Sequence, residues 1–394
     1  MKVLVLGCGR SGRAAEALLK AQGTDCLVLA DDVRDKVGEG RFDFAVVSPG
    51  FALTHPWIAE AKRRGIPLKS ELQLGCEALR RQGWKLLAVT GSKGKSSVVK
   101  VVSEAVGGVP CGNYGLPVCE VAFEGARRGS RDAGARWAVV EVSSFMMETT
   151  ELPADTFEAA AILNLQEDHL DRHGSVEVYH GLKRKLLTMA KIALVSAPHE
   201  MERFGDGEVV PWAGSYFDNE ILSGNAAMAA GLMRTAGLDG AAIARAFRDF
   251  VPLPHRMNLV AEIGGVRYID DSKATSLAAL VAGIRMTSNP VRLIAGGLPK
   301  GDDPKMALST LTDRVKKVYL IGQCAESFFA AWHDVVDCEI CGTLDAAVGE
   351  AMREAAKGEA VLLSPGTASF DQFQSYGERG EVFARLVKKE GQQK

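Results

Sequence analysis

The chain has 394 residues, 47% apolar and 24% charged, the balance of an ordinary soluble globular protein. Its formal net charge of −2 provides no basic field, which argues against nucleic acid or an anionic membrane as partner. No apolar run approaches bilayer-spanning length and the eight cysteines form no disulfide framework, so a cytoplasmic protein without membrane insertion is expected.

This length predicts two or three domains. Residues 3–7, VLVLG, read as a buried strand that runs into glycines and then into the helical pattern RAAEALLKAQG. With Lys2 the run briefly imitates a signal peptide, but Gly7, Gly9 and Arg10 cut it short. CLVLA, ending at Asp31, and FDFAVVSPG, closing on a Pro-Gly turn, are further strands, giving a small parallel α/β sheet over residues 1–84. A break at Arg81-Gln82-Gly83-Trp84 precedes KLLAVT, and this second unit, residues 85–252, continues through WAVVEVSS and AAAILNL. The third, residues 253–394, begins near Leu253-Pro254 and holds RYIDDS, VRLIAGG, KVYLIG and AVLLSPG. The predicted fold class is α/β, as three consecutive α/β domains: Rossmann-like, P-loop and again Rossmann-like. Cys338 and Cys341 form one CxxC without a second pair or nearby histidines, which reads as coincidence rather than a zinc site.

The strongest chemical signal is Thr90-Gly91-Ser92-Lys93-Gly94-Lys95-Ser96-Ser97, between a strand and the helical pattern VVKVVSEAV. Glycines turn backbone N–H groups toward phosphates, the helix N-terminus adds its dipole, Lys95 reaches β/γ oxygens and a hydroxyl binds Mg²⁺. The loop is a shortened one, since Val89 stands where the longer pattern has its first glycine. Gly7-x-Gly9-x-x-Gly12, with Asp31 downstream, is weaker: it fits a dinucleotide site or a tight turn, and nothing later resembles a hydride-transfer site. Glu141-Val142-Ser143-Ser144 and Asn164-Leu165-Gln166-Glu167-Asp168-His169 each follow an apolar strand, where open α/β sheets hold their ligands. Glu141 offers Mg²⁺ a hard oxygen.

In order, TGSKGKSS, GNYGLP, EVSSF, NLQEDHLDRH, LPHR, DDSKATS and LLSPGTASFDQF resemble the Mur ligase family over essentially the whole chain. DSKAT and SPGTASFDQF are most similar to its D-glutamate-adding members. The resemblance implies an ATP-dependent amide ligase of peptidoglycan precursor synthesis, joining D-glutamate to UDP-N-acetylmuramoyl-L-alanine through an acyl phosphate, and a monomer. It also implies uridine-site roles for Ser11, Asp31, Asp32 and Ser48, with Pro49-Gly50 alongside, and contact with the muramoyl end for Asn113. The loop Gly91, Ser92, Lys93, Gly94, Lys95, Ser96 and Ser97 would hold ATP phosphates, with Ser96 and Glu141 on magnesium. His169 would bind a second magnesium with a carbamylated lysine, and the Tyr-x-x-x-Lys spacing from Tyr179 selects Lys183 over Lys185. Asn225 resembles an adenosine contact. His255-Arg256 and Asp271-Ser272-Lys273 resemble the segment that closes over ATP, and Thr275, Lys300, Ser364 and Phe373 the holders of D-glutamate. Three features depart from the family: Met146 replaces a usual Gln, the His-Asn-x-x-Asn pattern is missing around Leu222, and the stretch between Ser196 and Phe217 is short.

Overall fold

Unbroken runs such as Val3–Leu6 leave no polar face, so the strand they form must be covered on both sides, the condition of a parallel sheet. The computed structural model, which describes residues 1–30, 37–128, 136–196, 208–210, 220–299 and 301–391, has this arrangement three times. The first sheet contains β1 (Lys2–Leu6), β2 (Asp25–Leu29), β3 (Phe44–Val47) and β4 (Leu68–Ser70) in the order β2-β1-β3-β4. Val3, Leu4, Val5 and Leu6 are fully buried at its centre.

The second sheet is built from β5 (Lys85–Thr90), β6 (Val109–Gly112), β7 (Trp137–Glu141), β8 (Phe157–Ile162), β9 (Ala190–Ser196) and β10 (Glu208–Val210). Its order is β10-β9-β8-β5-β7-β6, with every pairing parallel. β5 is therefore flanked by β7 on one side and β8 on the other, and the loops after these three strands open at one sheet edge.

The third sheet comprises β11 (Asn258–Ile263), β12 (Val266–Asp270), β13 (Val291–Gly296), β14 (Val315–Ile321), β15 (Asp337–Gly342) and β16 (Ala360–Leu363). Its order is β11-β12-β16-β13-β14-β15. β11 alone among these runs antiparallel, joined to β12 by Gly264 and Gly265, whose φ values of 60° and 76° suit a tight hairpin turn. Cys338 and Cys341 lie three residues apart on β15, so their side chains leave opposite faces, and each packs into a different apolar cluster. One metal ion could not take both.

Packing divides the chain into two units, Met1–Phe250 and Val251–Lys394. Within the first, the expected boundary at residue 84 is bridged by one apolar cluster that includes Val3 and Leu18 from one side and Val140 and Phe157 from the other. The joint also carries a polar seam. Ser70 Oγ lies 2.6 Å from Thr150 Oγ1, Glu151 N donates to Gln73 Oε1 at 3.0 Å, and Cys119 N donates to Glu71 Oε1 at 2.6 Å. Burial pushes the Glu71 carboxyl up to about 7.

Gly75 explains how closely the helices Glu71–Arg81 and Val118–Arg128 approach: an added Cβ would sit 2.7 Å from the Val118 backbone. Overpacking there should cost about 1–3 kcal/mol, more than the roughly 1 kcal/mol that alanine gains over glycine inside a helix. Gly75→Ala should therefore lower the urea midpoint of the first unit. Gly181→Ala, on an exposed helical position with nothing within 4 Å of the new Cβ, should raise it. A stabilised Gly75→Ala protein would contradict this packing.

Candidate active site

The sequence after β5 cannot continue as a strand because Gly91 and Gly94 take φ values of 150° and 83°, open to glycine and strained for other residues. The chain turns at once into the helix Lys95–Ala105, with Gly94 as its N-cap. Asn164, just beyond β8, clamps the turn: its Oδ1 accepts from Lys93 N at 2.8 Å and its Nδ2 donates to Lys93 O at 3.0 Å. Ser92 Oγ donates to Gln166 O at 3.0 Å and lies 3.1 Å from Tyr179 Oη. The phosphate-loop residues Gly91–Ser97 are thus held by the same loop that carries His169. Asn225, on the helix Glu220–Thr235, packs against the turn, since an added Cβ at Gly94 would fall 2.3 Å from its Nδ2.

Two lysines converge on one oxygen. Lys95 Nζ donates to Gly91 O at 2.8 Å and Lys183 Nζ donates to the same atom at 2.9 Å. Lys183 is fully buried on the helix Val176–Lys185, its Nζ 4.4 Å from the Tyr179 ring centroid. Burial, then the nearby Lys95 charge, lowers its pKa to about 6, so the neutral amine predominates at pH 7. Lys185, by contrast, pairs with Glu151 at the surface.

Glu141 closes the third side. Its Oε1 accepts from Asn113 Nδ2 at 2.7 Å, and Asn113 N donates to Glu141 O at 2.9 Å. Asn113 is therefore engaged in orienting Glu141. Oε2 of Glu141 is buried with no hydrogen-bond partner, a condition that suits a cation. Ser96 is buried at the first turn of the Lys95–Ala105 helix. His169 takes φ 54° and remains half exposed, its ring 6.2 Å from that of Tyr179 and 4.9 Å from Phe145. The hard oxygens of Ser96 and Glu141 are of the kind that suits Mg²⁺. Asp168 binds Lys93 Nζ at 3.3 Å. Met146, the departure from the family's Gln, is buried in the shared apolar cluster.

At the first sheet, Gly12 lets the helix Arg10–Ala21 approach the Gly7 turn: an added Cβ would fall 1.8 Å from Gly7 O. Ser11 lies on this helix and Ser48 beside the same turn, its Oγ 2.8 Å from a Cβ built on Gly7. Asp31 and Asp32 lie outside the described residues.

In the second unit the loops after β12 and β16 lock together. Ser364 Oγ donates to Asp271 Oδ2 at 2.8 Å, and Gly366 N donates to Ala274 O at 2.8 Å. Ser364 is wholly buried, so its hydroxyl serves Asp271, whose carboxyl burial raises to about 7. Arg256 and Thr275 are half-buried, Phe373 packs into the apolar cluster under β16, and Lys300 lies outside the described residues. Lys273 Nζ stands 3.8 Å over the Tyr376 ring. Sequence reasoning gave no role to Tyr376 or to the clamp of Asn164. The cation over the ring is not visible in spacing, but Asn164 sits one residue beyond an apolar strand run, where a clamp for the neighbouring strand's loop is placed.

Two family models match the chain: the Mur ligase middle domain over residues 89–206 and the Mur ligase glutamate ligase domain over 255–366. A UDP-N-acetylmuramoylalanine–D-glutamate ligase of Acidobacterium capsulatum is 33% identical, covering 98% of this chain and 96% of the relative. One of Chlamydia caviae is 31% identical over 98% and 97%. Among solved structures, the MurF ligase of Thermotoga maritima in complex with ADP gives a TM-score of 0.59 at 15% identity, over 93% of this chain and 97% of that one. The UDP-N-acetylmuramate–alanine ligase of the same organism gives 0.58 at 15% over the full length of both, a likeness of fold. No described helix is long and apolar enough to cross a membrane. With both domain models matched and relatives above 30% identity along nearly its whole length, the chain belongs to the Mur ligase family.

Proposed function

We propose that this chain uses ATP to join D-glutamate to UDP-N-acetylmuramoyl-L-alanine in peptidoglycan precursor synthesis. The carrying observation is the meeting of Lys95 and Lys183 on the Gly91 carbonyl, beside a buried Glu141 oxygen left without a partner. Such a site suits a polyphosphate accompanied by a divalent cation. The activity of the near-full-length relatives, UDP-N-acetylmuramoylalanine–D-glutamate ligases, supports this choice of substrates.

The substrate carboxylate attacks the γ-phosphorus of ATP, ADP leaves, and the resulting acyl phosphate has the leaving group a free carboxylate lacks. The D-glutamate amine then adds to the acyl carbon, loses a proton, and phosphate departs as the amide forms. The chain's part is positioning and charge placement. The Gly91–Ser97 amides and Lys95 hold the phosphates, and Asn164 and Ser92 keep the loop in shape. Ser96 and Glu141 would hold one magnesium ion, and His169 with a carbamate on Lys183 a second, whose bound charge offsets that of the phosphoryl and acyl oxygens. A buried neutral amine is the form that adds CO₂, and the carbamate turns a cation-repelling group into an oxygen donor. Residues 1–84 would take the uridine end through Ser11, Asp31, Asp32 and Ser48, with Asn113 toward the muramoyl group. Asn225, Arg256, Asp271 and Lys273 would serve ATP. Thr275, Lys300 and Phe373 would serve D-glutamate, with Ser364 acting through Asp271.

Release of ADP with UDP-N-acetylmuramoyl-L-alanine, assayed across a panel of amino acids, should require D-glutamate. Release with another amino acid but not with D-glutamate would contradict the substrate assignment. Lys95→Ala should abolish ADP release and leave calorimetric binding of the UDP substrate near normal; retained turnover would remove the phosphate-loop assignment. Lys183→Arg should be inactive although it keeps a cation, because guanidinium does not form the carbamate, while Lys185→Ala should be tolerated. Wild-type activity should fall as the pH drops through about 6, where the Lys183 amine protonates. Full activity of Lys183→Arg would exclude the carbamate.

A further inference from the structure

Arg172 lies three residues beyond His169 on the short helix Leu170–His173, and the chemistry above gives it no task. Its guanidinium grips Glu148 through two bonds, Nε to Oε1 at 3.0 Å and Nη2 to Oε2 at 2.7 Å. The same Nη2 donates to the Phe51 carbonyl and, at 3.5 Å, to the Pro49 carbonyl. The cation also lies over the Phe145 ring, 4.8 Å from its centroid.

Each partner leads to a different part of the site. Phe145, on the short helix that follows Glu141, packs at a tilt against His169 and His173, with ring centroids 4.9 and 5.4 Å apart. Glu148 Oε1 is 3.4 Å from His173 Nδ1, and His173 Nε2 reaches Ser144 Oγ at 3.0 Å. Phe51, on the other side, covers the Gly7 turn, where an added Cβ would fall 2.6 Å from its ring. One side chain thus spans from the loop of the first sheet to the His169 corner of the second. Stability alone gives little reason for such a pair, because removing two charges from water costs about as much as their attraction returns. Its geometric value is larger: a planar fork fixes two carbonyls and a carboxylate at once, as a lysine cannot.

We propose that Arg172 is a positioning residue that ties the Ser48–Phe51 loop, bordering the nucleotide-linked substrate, to the His169 metal corner, so that occupancy of the one favours occupancy of the other. The proposal rests on the ligase reading given above.

The test is steady-state kinetics of the full chain carrying Arg172→Lys, Arg172→Met or Glu148→Gln, with thermal unfolding of each. In the Arg172 variants, KM for UDP-N-acetylmuramoyl-L-alanine and the magnesium concentration for half activity should both rise about tenfold, while KM for D-glutamate stays within about twofold. Glu148→Gln should shift the same two quantities in the same direction, and the double variant should be no worse than Arg172→Met alone. A purely structural role would lower the unfolding temperature and the active fraction without moving either quantity, and that result in any folded variant overturns the proposal. A wild type that releases no ADP with any acceptor would overturn the ligase reading, and this inference with it. An active wild type with unmoved variants overturns this inference alone.

Discussion

Two lysine side chains share one backbone carbonyl at the end of β5, and much of the site follows from that crowding. Burial above all, and then the Lys95 charge nearby, disfavours the protonated form of Lys183. Lys183 yields, and its amine is neutral at physiological pH. Lys95 opens the helix that follows the glycine turn. The pair can form only because Gly91 turns its carbonyl inward at a φ of 150°, and because β5 lies between β7 and β8, whose loops bring Glu141 and Asn164 alongside. Beside the pair, Oε2 of Glu141 is a buried acceptor without a hydrogen-bond partner.

The second unit solves a different problem, that of holding two loops still without a ligand. Arg379 is buried almost completely and donates to Ser272 Oγ, Ser272 O and Thr367 O, at 3.0, 3.0 and 3.2 Å. A guanidinium in that position is expensive to desolvate, and burial pulls its pKa down to about 10. Its several bonds knit the Asp271–Lys273 segment to the Ser364–Ser369 segment, so that Asp271 and Ser364 meet in one geometry. Lys273 is then left facing Tyr376.

What the sequence discloses depends on how local each cause is. The runs at β1, β5, β7, β8, β13 and β16 are legible because strands covered on both faces need unbroken apolar stretches, and the glycines after β5 advertise their turn. β11 was missed although Gly264-Gly265 between Ile263 and Val266 is a hairpin signal; its half-exposed residues lack the apolar density of the others. β15 was missed for the same reason, its side chains being partly exposed along most of its length. Motif residues were legible as types, and Lys183 was separable from Lys185 only through the Tyr-x-x-x-Lys pattern that the family resemblance implies. Their states were not. That Ser364 is spent on Asp271, that Asn113 orients Glu141, and that Met146 fills core space are consequences of packing between segments distant in sequence.

The central claim is that Lys183 is held as a neutral amine so that it can become an anionic metal ligand. Carbon-13 NMR of the protein equilibrated with labelled bicarbonate and magnesium at pH 8 tests it most directly. The account predicts a carbamate carbonyl resonance that is present in the wild type and in Lys185→Ala, absent in Lys183→Arg, and lost on acidification below about pH 6, where the amine takes up a proton. A fully active wild type with no such resonance, or one that persists in Lys183→Arg, would contradict it.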